Sequence, residues 1–437
     1  MKDQQKTYYD PHNYFFVRLP GSVYRRKLQR PELQSSEELI PLHGQPWQKG
    51  LLSGVLFCCL TCITPVHVGS GSYRKVSGKV AVDIIRDSED NPVIPGSSLK
   101  GSFRAIAEAV SKSCLTFRGD RDSYEEKLEK LPWETGFRKR PSPENSYWRK
   151  EIKEKLSSLQ SARVKSISVE PCIKSEFSRC TVNSEQPGEI FLCPCCSIFG
   201  ALGYRGRVAF TEARVTNSKT VVVVNIPARH SPQPHRLADK ATWAGDPADR
   251  SKAGGFKIKG EGENLCLTVL NPLGRKFYPY QKPTFNTGEP HCCIPENATL
   301  KFSLYFESLF PWELGLLLFS LGAENQVLPL ETGVWLPKVG GGKAYGLGSV
   351  RVGCEELRLV PVSDLCAQPR SYIGEALEEK VRHYLEEFCC HPAFHKQGAD
   401  DLRVGLSEDL EKHKRSGRLH TADNARPFSG GLWDART

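Results

Sequence analysis

The period of apolar positions changes several times along this chain, and each change predicts an element. Between positions 54 and 68 nearly every residue is apolar or β-branched, which predicts a central strand buried on both faces. Residues 79–85 alternate, so a second strand follows. After Val93-Ile94-Pro95-Gly96 the period becomes helical: Leu99, Phe103, Ile106, Ala107 and Val110 share one stripe. A helix is therefore expected over 95–113, with Ser98 as its N-cap. Two strands are expected at 207–216 and 220–226. The stretch 299–307 alternates cleanly, with Leu300, Phe302, Leu304 and Phe306 on one side. Pro311 opens a leucine-rich helix running to about Gly322, since proline fits a first helical turn. Strands starting at Gly333 and Leu347 flank a run of glycines, and 371–390 reads as an amphipathic helix.

Strand, helix, strand, repeated once, is the split βαβ order of an α+β, ferredoxin-like fold. One such fold with large insertions, or two degenerate copies, would give this order. The expected organisation is an extended arm over 1–53, a core over 54–360 and a C-terminal helix and tail over 361–437. The arm docks through Tyr14-Phe15-Phe16-Val17. Insertions interrupt the core at about 117–200 and 228–290. Residues 117–165 are highly charged with Pro141 and Pro143 inside, as in an exposed insertion. Residues 228–262 have little periodicity, and so long a loop is usually functional or disordered.

The formal charge of +10 over 437 residues favours a polyanionic partner, although 25% charged residues is ordinary. No apolar run is long enough to span a bilayer, and the polar start lacks the apolar segment of a secretory signal. Cytoplasm is the expected location. Sixteen cysteines then read as reduced thiols and metal ligands rather than disulfides.

Two segments have the chemistry of a phosphate grip. Ser97, Ser98, Lys100, Gly101 and Arg104 gather small hydroxyls and cations at a helix start, where backbone N–H groups are free. A plain capped helix with a solvated basic face is the alternative. Between Lys338 and Gly348, Gly341, Gly342 and Lys343 let a main chain approach a phosphate; the spacing fits neither a dinucleotide fingerprint nor a P-loop. A flexible hairpin is the alternative there, and Gly69-Ser70-Gly71-Ser72 is a weaker case. Arg275 and Lys276 interleave with Phe277, Tyr278 and Tyr280, which suits base stacking with phosphate contact.

Cys193 and Cys196 form the C-x-x-C knuckle of a tetrahedral zinc site, which Cys180 and Cys172 would complete, with Cys195 turned away. Free buried thiols are the alternative. The remaining cysteine and histidine pairs, at 291–293 and 389–395, lack a knuckle and read as structural. Signals for acid–base or nucleophilic catalysis are thin: His67 ends an apolar strand, and Asp83 and Asp87 precede the Pro-Gly turn.

These blocks together resemble the RAMP superfamily, the RNA-binding subunits of CRISPR effector complexes. Ile94-Pro95-Gly96-Ser97-Ser98-Leu99-Lys100-Gly101 with Arg104 resembles its signature, and Thr64-Pro65-Val66-His67-Val68-Gly69 its first strand and turn. Cys196-Ser197-Ile198-Phe199-Gly200 followed by Gly206-Arg207-Val208 resembles the middle block, and 339–348 the glycine-rich loop. His12-Asn13-Tyr14-Phe15-Phe16-Val17 and Gly274-Arg275-Lys276-Phe277-Tyr278 look like a type III backbone subunit.

The resemblance implies a modified RNA-recognition fold that lines up with sister subunits along a guide RNA and its target RNA. Ser97, Ser98, Lys100 and Arg104 would contact guide phosphates, with Gly341, Gly342 and Lys343 opposite. A thumb-like hairpin is expected at 228–262. Some relatives cut target RNA with an aspartate and a divalent metal such as Mg2+. That position falls near Ala81 here. Asp83 lies two residues on, about 7 Å away along a strand, too far for an attack geometry tolerating about 1 Å. A guide-binding, non-cutting subunit leads. The alternatives are an endoribonuclease using Asp83 and a zinc-stabilised adaptor that contacts protein neighbours.

Overall fold

The computed structural model describes residues 15–28, 40, 50–76, 78–115, 166–171, 180–182, 190–217, 220–227, 255–259, 264–270, 275–283, 288–360 and 368–409. For Phe16 and for 166–171, 255–259 and 264–270 only the backbone is described. The segments 1–14, 117–165 and 228–254, Cys172, and the tail after 409 lie outside the described residues.

The core strands are, in chain order, Leu52–Cys62, the interrupted pair Val208–Phe210 and Ala213–Val215, Thr299–Leu309, and Val350–Val360. In space they run fourth, first, third, second, each antiparallel to its neighbour, with Arg370–Tyr372 and Val93–Ile94 at the two edges. Helix α1 (Gly96–Val110) and the short α2 (Pro194–Phe199) lie between the first and second strands. Helices α3 (Pro311–Leu321) and α4 (Glu324–Val327) lie between the third and fourth. Helices α5 (Gly374–Cys390) and α6 (Lys396–Gly405) follow. This is the ferredoxin-like, RNA-recognition arrangement. Both halves enter one sheet over one main apolar core, so the described residues form a single such fold rather than two copies.

Period-2 patterning sets which face of the sheet is covered. Leu300, Phe302, Leu304 and Phe306 are buried, whereas Lys301 and Tyr305 between them are exposed. Leu56, Cys58, Leu60 and Cys62 are buried likewise, but Val55, Phe57, Cys59 and Thr61 on the other face remain partly exposed. The expectation of burial on both faces is thus corrected. Apolar side chains there reflect β-propensity and cross-strand packing as much as burial.

The stripe Leu99, Phe103, Ile106, Ala107 and Val110 is buried as its spacing predicts. Pro95, not Ser98, occupies the N-cap position; its carbonyl accepts from the Ser98 and Leu99 amides at 3.0 and 3.2 Å. Gly96 is required because a Cβ there would lie 2.0 Å from the Phe210 carbonyl oxygen. Helix α3 is apolar all round because it lies between α1 and α5. It starts at Pro311 and stops at Gly322, where φ is +79°.

Three expectations change. The 207–216 strand breaks at Thr211-Glu212, where Thr211 exchanges bonds with Ser303 through both its amide and its hydroxyl. No strand starts at Gly333: Trp335 and Lys338 make single bridges to Ser407 and Ser349, and Pro337 between them has no N–H to extend a ladder. Gly69-Ser70-Gly71-Ser72 is the exposed beginning of a strand, Gly69–Val76, in a second sheet with Lys79–Ile84, Glu289–Cys293 and Val222–Ile226.

The aromatic end of the arm is anchored. Phe15–Val17 pairs with Arg275–Phe277, and Phe15 and Val17 are fully buried. Arg18 binds Asp401 through Nε at 2.8 Å and Nη2 at 2.6 Å. Among the described residues no helix is long and apolar enough to cross a membrane.

Candidate functional site

Four buried cysteines meet behind α1. The Sγ atoms of Cys114, Cys180, Cys193 and Cys196 all lie within 4.8 Å of one another. Cys193 caps α2, and the Cys196 amide donates to its sulfur at 3.4 Å, which is how a C-x-x-C knuckle turns both thiols inward. Cys114 is 3.6 Å from both Cys193 and Cys196. A tetrahedral metal centre with metal–sulfur bonds of about 2.3 Å needs sulfurs about 3.8 Å apart, so the cluster fits one ion with little movement.

The surroundings also suit thiolates. Arg25 donates to Cys180 Sγ at 3.0 Å, Arg104 to Cys196 Sγ at 3.6 Å, and the Cys193 amide to Cys180 Sγ at 3.3 Å. The four thiols share their protons: burial would raise Cys193, but the sulfur hydrogen bonds among them hold it and Cys180 below the ordinary value and push Cys114 and Cys196 above it. These residues can hold a metal ion with no coordination position left open. Cys195 turns its sulfur to the Arg104 carbonyl instead. Cys172 lies outside the described residues. Cys114 is the ligand the sequence reading missed, because it stands 79 positions from the knuckle with no motif around it.

The same geometry engages two cations. Arg104 donates to Glu108 at 3.0 Å and to the Gly200 carbonyl at 2.9 Å, besides Cys196. Arg275 reaches Glu108 at 3.1 Å and the carbonyls of Ser113 and Cys114. Both guanidinium groups brace the cysteine cluster. Lys276 rests over the Tyr278 ring at 5.9 Å.

At the start of α1 the arrangement is open. Ser97 is exposed, and Ser98 and Lys100 are half-buried. The Lys100 ammonium donates to the Val208 carbonyl at 2.8 Å. Ser97 and Lys100 line a groove of about 750 Å3 together with Arg205, Tyr305 and Arg358. Burial lowers the Lys100 ammonium, and the nearby Arg104 and Arg205 lower it further.

The glycine loop is built differently. Gly340, Gly342, Gly346 and Gly348 have φ between +70° and +88°, and a Cβ on Gly340 would lie 2.3 Å from the His67 carbonyl oxygen. The Gly341 amide donates to that same carbonyl at 2.8 Å. Lys338 points inward, with its ammonium on the Lys343 carbonyl at 3.1 Å. Burial pushes Lys338 down to about 7, with Lys343 adding to it, and Lys343 down to about 8.

The two segments are therefore not opposed across one phosphate. Gly96 meets Phe210, which is level with Leu56 on the central strand, while the glycine loop joins the chain beyond Cys62. Six strand rises of about 3.3 Å place them some 20 Å apart, about six stacked nucleotides at 3.4 Å each.

Asp83 is enclosed. One carboxylate oxygen accepts from Arg74 Nε at 2.7 Å, and the other from the Ile84 amide at 2.9 Å and from Arg86 at 3.3 and 3.4 Å. Burial would raise its pKa, but these donors hold it below the usual carboxylate range. Asp87 shapes a turn by accepting from the Glu89 and Asn91 amides. His67 is buried, with Nδ1 2.7 Å from the Cys292 carbonyl and its ring edge-on to His291.

Glu313, which sequence reading passed over, is fully buried between Arg26 and Arg207. It accepts from the Phe310 amide at 3.0 Å, closing the first turn of α3. Burial would raise its carboxyl, but Arg207 and Arg26 bring it down to about 2.

The family model of the RAMP superfamily matches residues 59–351, two thirds of the chain. Search of the curated proteins gives no match. The matched span contains the α1 turn, the cysteine knuckle and the glycine loop. The chain belongs to the RAMP superfamily, and with it to the CRISPR-associated RNA-binding subunits.

Proposed function

We propose that this RAMP superfamily chain is a guide-RNA-binding backbone subunit of a type III CRISPR effector complex. It holds the guide, and the guide–target duplex, beside sister subunits in the cytoplasm without reading sequence. The observation that carries this reading is Lys100, whose ammonium sits on a neutral carbonyl at the rim of an open groove. A phosphate can take that charge without first displacing a carboxylate. Ser97 and Ser98 flank it. Gly341, Gly342 and Lys343 form a second contact further along the same strand of RNA. Zinc is the metal assigned to the four-cysteine centre, because an all-thiolate, closed tetrahedron is its structural form. When bound, it cross-links α1 to the knuckle.

In this reading the subunit holds its target without cutting it. A divalent ion such as Mg2+ needs carboxylate oxygens free to coordinate it, and both oxygens of Asp83 are taken by Arg74, Arg86 and the Ile84 amide.

The test is RNA retention by the assembled complex across a salt series. Lys100→Ala should lower the slope of log affinity against log salt by about 0.7, one phosphate contact on a single strand. An unchanged slope and unchanged RNA yield would refute the grip. Asp83→Asn should leave every target cut in place, and loss of one cut would restore the cleaving alternative.

A further inference from the structure

The second sheet ends in an edge that the phosphate grip does not use. Its strands lie in the order Val222–Ile226, Glu289–Cys293, Lys79–Ile84 and Gly69–Val76, so the last has a neighbour on one side only among the described residues. Near its start the register slips between Gly69 and Tyr73, and the Ser72 amide turns to the Ser70 hydroxyl. From Tyr73 to Val76 the pairing is regular, and Val76 meets Lys79 across a two-residue turn. The pair that closes such a turn exchanges both backbone hydrogen bonds. Alternation then aims the N–H and C=O groups of Tyr73 and Lys75 outward, away from Lys79–Ile84. These four groups line the open edge, a template for one more strand.

The side chains beside this edge are apolar. Tyr73, Val82, His291 and Val224 form one rung across the four strands. Tyr73 is 66% exposed, and Val80, which pairs with Lys75, is 62% exposed. Further along the same face Ile226 and Cys293 are already covered by Tyr345 and Leu347 of the glycine loop, so the exposed patch continues an apolar contact. Arg74 points to the other face, where Asp83 takes it at 2.7 Å and Asp90 at 2.7 and 3.0 Å. Lys75 and Lys79 stand exposed at the hairpin tip, and neither has a carboxylate partner among the described residues. Exposed valines, a neutralised arginine and an open ladder suit a polypeptide better than a phosphate chain. Four residues of edge are far smaller than the roughly 800 Å2 per partner of a stable interface. The added strand therefore belongs to a chain already held beside this one.

We propose that the edge over 73–76 takes up an extended segment of a neighbouring protein subunit by β-strand addition. The segment's apolar side chains lie against Tyr73 and Val80, and a carboxylate on it meets Lys75 and Lys79. The contact itself is read from this chain; that the neighbour is a subunit of the same complex rests on the reading above.

The experiment uses the full chain in its assembled complex, with a photo-crosslinking benzoylphenylalanine placed at Tyr73. Mass spectrometry of the adduct should identify one segment of a neighbouring subunit that contains an Asp or Glu. In parallel, fluorescence titration of the labelled full chain into the remaining subunits measures its affinity for them. Lys75→Pro removes one outward N–H and leaves the ladder to Lys79–Ile84 intact, so it should weaken that affinity about 10-fold. Lys75→Arg keeps both amide and charge and should bind as the parent does. Thermal unfolding of Lys75→Pro should match the parent. If it does not, Val80→Asp carries the test, because it changes an exposed side chain without touching the backbone and should weaken the same contact. A cross-link to RNA or within this chain, or unchanged affinity in the folded variants, overturns strand addition and leaves the multi-subunit reading standing. If the parent itself assembles with no other subunit, that reading falls and the proposal falls with it.

Discussion

The two ends of the central sheet use the same residue types, glycine, serine and lysine, with opposite physical results. At the α1 end Lys100 holds its charge at the rim of a groove, beside exposed Tyr305 and Arg358. At the glycine-loop end Lys338 is only 6% exposed and turns its ammonium inward to the Lys343 carbonyl. The positive-φ glycines there serve the fold first, since they let the loop pass within van der Waals reach of His67. A cation therefore counts toward a phosphate site by where its charge ends, not by its place in a motif. Desolvation lowers both ammonium groups, but it takes the enclosed Lys338 down to about 7, whereas Lys100 stays at the rim of an open groove.

The comparison can be broken most forcefully from behind the groove. The cysteine centre braces α1 through Arg104, so Cys193→Ser, or chelation, should cost about 5 kcal/mol or more. Metal content should fall from one equivalent to near zero. Hydrogen exchange should accelerate in α1 and α2 before it does around 338–349. Equal loosening at both ends would mean that they are not independently supported.

Glu313→Gln should come next, at about 3–5 kcal/mol, because Arg26 and Arg207 would be left buried without a counter-charge. The pH dependence has a definite sign. The folded pKa of about 2 lies below an unfolded value near 4.3, so this contribution is complete above about 4.3. It is lost as pH falls toward 2. Acid unfolding of the parent and the variant should converge over that window.

The smallest effect sharpens the glycine-loop end. Lys338 has a folded pKa of about 7, against an unfolded value near 10.4. Between those values the unfolded chain binds the extra proton, so stability rises with pH. Urea unfolding at pH 7 and pH 9 should show a gain in the parent to which Lys338 contributes about 2 kcal/mol; Lys338→Met should lose that share and keep the smaller gain from Lys343. An equal gain in both would place the Lys338 charge in water and erase the contrast between the two ends.

Much of this was legible in the residues. The stripe from Leu99 to Val110 and the alternation from Leu300 to Phe306 fix burial through periods of 3.6 and 2, which need no tertiary information. Pro311 and Gly322 mark the ends of α3 through local backbone chemistry. The knuckle of Cys193 and Cys196 is local too. Cys114 was not legible, because a ligand brought in from the end of another helix leaves no spacing to read. The interior partners of Arg104 and Arg275 were not legible for a related reason. A guanidinium reaches far enough that its nearest carboxylate, here Glu108 for both, decides whether it faces solvent or the interior.

By itself the sequence determined most of the elements, their split βαβ order, and the segments whose chemistry suits RNA. Those properties depend on side chains near one another in the chain. The tertiary structure alone decided which cations stay outside, which thiols meet, and which face of the sheet is left open. Each of those outcomes depends on desolvation and on partners contributed by distant strands and helices, and neither is encoded in local spacing.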